Sequence, residues 1–102
     1  MVINFRDMSD FKSDPRSIYE MPFPDDLSGA VIKGVDVQIL AADTLRIADY
    51  FAKHQELSEI QSAVLKENTK DLELILPALT GYPLEYFLKI KNLISELTSK
   101  TL

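Results

Sequence analysis

From about residue 36 onward, apolar residues recur at intervals of three and four, the spacing of one face of an α-helix; before residue 30 they do not hold that spacing for long. Three helices follow from the pattern. The first is predicted over about 36–53. Gly34 interrupts the chain, and the Asp36 carboxylate can accept orphan backbone N–H groups of the first turn. Val37, Leu40, Ala41, Leu45, Ala48, Phe51 and Ala52 form its stripe. Ile39 and Ile47 widen it, which implies packing on more than one side; Gln38, Arg46, Asp49 and Lys53 form the wet face.

The second helix is predicted over about 58–77. Ser58 and Gln61 are spaced as a capping box, and Leu57 stands where a hydrophobic staple would. Ile60, Val64, Leu65, Leu72, Ile75, Leu76 and Leu79 supply the apolar face, with Asn68 inside it. Pro77 has no N–H to give to the carbonyl of Glu73, so the helix ends or kinks there. The third is predicted over about 83–99, with Pro83 at its first position, Glu85 in its first turn and a seam of Phe87, Ile90, Ile94 and Leu97. Leu84, Leu88 and Leu93 widen that seam. Short breaks make the three helices antiparallel neighbours. The fold class expected is therefore mainly α, a small three-helix bundle formed by residues 30–102.

Residues 1–29 read differently. They hold three of the five prolines and a scatter of large apolar residues, Phe5, Phe11, Ile18, Tyr19, Met21, Phe23 and Leu27 among them. So many large apolar side chains do not suit a solvated tail. The segment is expected to be an extended arm lying across the domain or across a second subunit. Met21–Pro24 is extended because proline disfavours helical backbone in the residue before it, and Asp25–Gly29 is a turn. Ala30–Lys33 is short and β-branched, and Val2–Phe5 is the one other candidate strand with which it could form a ribbon.

The segment from Gly34-Val35-Asp36-Val37 through Leu40, Ala42 and Asp43, and that from Asp71-Leu72 through Leu76-Pro77-Ala78-Leu79 and Gly81 to Tyr86-Phe87, resemble stretches of small helical bacterial proteins, actinobacterial ones among them. The resemblance covers about residues 22–97 in the same order. It implies one intact domain of a bacterial family with no assigned activity, and no site residue comes with it. Those relatives often place a Cys in the first helix near Arg46 and Ile47; this chain has none, so a thiol is not essential here.

Composition narrows the functional classes. With 102 residues, 46% apolar and 26% charged, the chain is sized for one globular domain. The absence of Cys excludes a disulfide framework and thiolate chemistry, and it fits a reducing cytoplasm. Charges run through residues 1–14 without a continuous apolar stretch, so they do not read as a signal peptide. The net charge of −5 lies mainly in residues 1–29 and in the second helix. An acidic chain without a basic stripe lacks the cations that nucleic acid or an anionic membrane would demand.

Candidate chemistry is sparse. His54, the single histidine, has no nucleophile near it in sequence and is expected at the surface or capping the first helix. Asp36 and Asp43 share a helix face, but hard cations take more oxygens than two carboxylates provide. Asp25-Asp26 with Ser28 and Gly29 lacks the alternating ligands of a calcium loop. Asn68 has three readings: exposure at the edge of its stripe, a buried structural hydrogen bond, or a ligand contact. None of the common phosphate-loop, zinc-protease or nucleophile-elbow spacings occurs.

No catalytic residue, metal ligand or cofactor is therefore expected, and the chain is not expected to be an enzyme. It is expected to be a protein-interaction module, most simply a homodimer, since three broad apolar faces and an apolar arm exceed what a bundle of this size hides easily. Candidate interaction residues are Phe5, Phe11, Tyr19 and Phe23 in the arm, Glu67 and Asp71 on the second helix, and Tyr82 and Tyr86 at the start of the third. The alternative is an acidic protein of the immunity or antitoxin type that masks a basic partner through Glu56, Glu59, Glu67, Asp71 and Glu73. A small-ligand binder or enzyme using Asn68, Tyr86 or an Asp ranks below both.

Overall fold

The structure is a computed structural model that describes residues 15–100. It is mainly α: three helices form a small antiparallel bundle, preceded by an irregular arm and a two-residue-per-strand hairpin. Helix α1 spans Val37–His54, α2 spans Glu59–Ile75 and α3 spans Gly81–Lys100. All three pack against one another.

The caps follow from local chemistry. Asp36 accepts from the Ile39 N–H at 3.1 Å and starts α1. Gln55 ends it in left-handed backbone, donating its N–H to the Phe51 carbonyl at 2.8 Å. Ser58 and Gln61 form a reciprocal capping box at 3.1 and 2.8 Å and start α2. Pro77 ends the α-helical run before it, and Leu76–Ala78 tightens into a single 3-10 turn, so α2 stops at Ile75 rather than reaching 77. Helix α3 begins two residues before Pro83, at Gly81.

The core is aliphatic with an aromatic corner. Val37, Leu65, Leu72, Ile75, Phe87 and Ile90 are fully buried. Four residues assigned to apolar faces by their spacing lie outside: Ile39 is 57% exposed, Ile60 is 77% exposed, and Ala52 and Leu88 are exposed, Leu88 one position past the buried Phe87 and so turned off the Phe87–Ile90–Ile94 row. Ile39 sits roughly opposite the Val37–Leu40–Thr44–Ala48 row of α1, so only one side of that helix is covered. Ile60 lies in the first turn of α2, off the Leu65–Leu72–Ile75 row.

The ribbon is local. Strand β1 (Val31–Ile32) pairs antiparallel with β2 (Val35–Asp36), and the turn uses Lys33 and Gly34 with φ of +53° and +81°. Gly34 is thus a turn residue between strands rather than a simple break. Val2–Phe5, the strand candidate read from sequence, lies outside the described residues.

The described part of the arm is not uniformly extended. Single 3-10 turns occur at Ile18–Glu20 and Asp25–Leu27, with extended backbone at Met21 and Pro24 between them. Ser17 and Glu20 cap the first of these turns reciprocally, which is why it coils. Ile18, Met21 and Pro24 are buried, so the described part of the arm lies on its own bundle and contributes to the core.

Candidate interaction surface

Helix α2 turns Leu65, Asn68, Leu72 and Ile75 inward. Its outer side carries Ile60, Glu67 and Leu74, seven residues apart from one to the next and therefore on one strip. Ile60 and Leu74 are 77% and 53% exposed, large for apolar side chains in a 17-residue helix. Between them Glu67 pairs with Lys70 at 3.7 Å, an exposed i,i+3 contact of little energetic weight. The strip is thus apolar at both ends and locally charge-balanced at its middle.

Beside this strip is a small cleft of about 240 Å³ where the hairpin and the start of α1 meet α2, bordered by Asp36, Ile39, Asp43, Asn68 and Asp71. Two of its three carboxylates have local occupations: Asp36 caps α1, and Asp43 pairs with Arg46. Asn68 is buried at the cleft floor, donating Nδ2–H to Thr44 Oγ1 at 3.0 Å, while Thr44 donates to the Leu40 carbonyl at 3.0 Å. Of the three readings of Asn68, the buried hydrogen bond is the one present. Thr44, fully buried at the centre of the α1 face, was missed because a hydroxyl does not register as apolar; its i−4 partner removes the penalty.

The remaining candidates separate into surface and core. Tyr86 is 3% exposed and Phe23 is half-buried; their rings meet edge to face at 5.5 Å, and Phe23 meets Phe87 at 6.0 Å. Both pack inward rather than toward a groove. Tyr86 has its pKa raised from 10.0, first by burial and then by Tyr82. Tyr82 is half-buried and donates its hydroxyl to the Pro22 carbonyl at 2.5 Å, tying the arm to α3. Tyr19 is 63% exposed, with its pKa raised by partial burial, then by the Asp49 and Glu96 carboxylates. Phe5 and Phe11 lie outside the described residues. His54 is exposed and stacks on Tyr50, ring centroids 4.2 Å apart, at the end of α1.

Among the described residues no group of three or more His, Cys, Asp or Glu side chains is placed to hold a metal ion, and no helix is long and apolar enough to cross a membrane. No family model, curated protein or solved structure matches the chain.

Proposed function

We propose that this protein is an interaction module that associates with a second copy of itself through the outer strip of α2. The supporting observation is the pair of exposed apolar side chains, Ile60 and Leu74, placed symmetrically about Glu67. Under a two-fold axis at Glu67, antiparallel α2 helices set Ile60 of each copy opposite Leu74 of the other, the self-complementarity that an isologous contact requires. Lys70 beside each Glu67 offsets the repulsion of the two carboxylates at the axis. Ile39, exposed on the neighbouring cleft, extends the same side.

Two helical strips bury less than the ~1,600 Å² of a standard stable interface, so the association is reversible. Light scattering across the micromolar range is expected to rise to twice the chain mass. An Ile60→Lys, Leu74→Lys double variant is expected to stay monomeric with unchanged helical circular dichroism. A wild-type chain that stays monomeric throughout overturns the reading.

Masking of a basic partner draws less support. Glu59 and Glu73 share a side of α2 with Lys66 and Lys70, while Glu67 and Asp71 lie on another, so the acidic residues do not make one uninterrupted face. The proposal takes the chain as a bacterial cytoplasmic protein and not an enzyme, on the family resemblance, the lack of cysteine and the absence of a catalytic spacing.

A further inference from the structure

The Glu67–Lys70 pair on the outer strip of α2 is loose. Its nitrogen and oxygen stand 3.7 Å apart, and the Lys70 and Glu67 side chains are 76% and 66% exposed. A contact of that length and exposure holds neither group in one geometry. Both are free to turn toward a second helix laid along the strip.

With the two-fold axis at Glu67, residues equally far before and after Glu67 lie at one height on the paired helices. Lys70 stands about 4.5 Å along its helix from the axis and about 60° around it. Glu67 of the second copy stands at the axis, so each Lys70 is as near in height to the other copy's Glu67 as to its own. The two carboxylates at the axis are bracketed by one ammonium above and one below. Ala63 is exposed, on the same flank as Lys70 and four residues before Glu67. In the pair it reaches almost the height of the opposing Lys70, and its single methyl group leaves room for the lysine stem. Lys66 and Glu73 lie about 100° and 120° around the helix from Glu67 and face outward. Asp71 is on the opposite flank, against the cleft beside Ile39.

We infer that Glu67 and Lys70 are the specificity-determining charges of self-recognition. Each Lys70 pairs with the Glu67 carboxylate of the second copy, giving two reciprocal ion pairs across the axis. The inference rests on self-association through the α2 strip and adds a selector to it. Ile60 and Leu74 supply apolar contact that many helices would satisfy, whereas the charge order accepts a strip carrying the same two signs at the same spacing.

Sedimentation equilibrium of the full chain and its variants tests the pairing, with circular dichroism confirming equal helicity. At about 50 mM salt, Glu67→Lys and Lys70→Glu are each expected to raise the dimer dissociation constant about ten-fold, because each turns both pairs repulsive. The charge-exchanged double variant restores opposite signs, within the helix as well as across the axis, and is expected to return to within about three-fold of the wild type. Glu73→Lys changes net charge as Glu67→Lys does but faces outward, and is expected to shift the constant by less than about two-fold. At about 1 M salt the gap between the wild type and the single reversals is expected to close. A double variant weaker than either single, or a Glu73→Lys chain weakened as much as Glu67→Lys, overturns the pairing and leaves association through Ile60 and Leu74 standing. A wild-type chain that never dimerises, or an Ile60→Lys, Leu74→Lys chain that still does, overturns the strip itself.

Discussion

Asn68 and Thr44, twenty-four residues apart, join α2 to α1 through a hydrogen bond of 3.0 Å between two buried side chains. The bond is asymmetric in its dependence. Thr44 also donates to the Leu40 carbonyl, so it remains bonded without Asn68, whereas the Asn68 amide loses its partner without Thr44. Thr44→Val is therefore expected to destabilise by about 1–2 kcal/mol, the cost of stranding a buried donor. Asn68→Leu is expected to cost less than about 1 kcal/mol, and the double variant less than the sum of the two. Urea unfolding of the four chains measures the cycle. Equal single-variant losses that simply add sink the asymmetry.

This pair also marks where sequence reading stopped. The three helices were legible because their apolar spacing is regular and because Asp36 and Ser58 are capping residues in the right places. Thr44 was not legible as core, since its burial depends on a bond to Leu40 that exists only once the helix forms. Ile39 and Ile60 were counted inward because periodicity says which residues share a stripe but not how much of it a neighbour covers. Tyr86 reads from sequence as either core-edge packing or an interaction residue, because nothing local reveals that Phe23, sixty-three residues earlier, folds back onto its ring.

The hairpin offers a test of backbone strain. Lys33 and Gly34 both sit at positive φ, which suits Gly and Asn and disfavours a β-carbon such as that of Lys33. A β-carbon at Gly34 meets no atom within 4 Å, so the cost of Gly34→Ala is backbone strain alone, about 1 kcal/mol. Lys33→Asn is expected to stabilise by up to about 1 kcal/mol. Thermal unfolding should show opposite shifts in Tm for the two substitutions; a shared direction contradicts the strain account.

The arm's contribution to the core is equally open to measurement. Phe23 presents its ring to the rings of Tyr86 and Phe87 at near-perpendicular angles of 83° and 87°. Phe23→Leu keeps an apolar side chain but removes both edge-to-face contacts, for an expected loss of about 1 kcal/mol. Hydrogen exchange should then quicken first at the Met21 amide, which donates to Ile18 in the turn just before Phe23. Unchanged protection there indicates that the arm is held by Tyr82 and Lys89 without help from the aromatic corner.

Tyr86 makes stability fall in alkali. Its phenol is held protonated in the folded chain, because burial first and Tyr82 second penalise the phenolate, so its folded pKa lies above the ordinary 10.0. The unfolded chain ionises near that ordinary value. Between the two values the folded state therefore binds the extra proton, and stability declines as pH rises, by at most about 1.4 kcal/mol per pH unit for one group. Below about pH 9 the phenol is neutral in both states and contributes no slope. Tyr86→Phe keeps the ring against Phe23 and Phe87 and removes the titrating group. The difference in urea midpoint between the wild-type chain and this variant should be flat from pH 7 to about pH 9 and should shift against the wild type above the ordinary tyrosine value. Groups that do not interact with Tyr86 contribute equally to both proteins and cancel in the difference. A difference that stays flat through pH 11 would show that the Tyr86 phenolate is as well accommodated in the fold as in water.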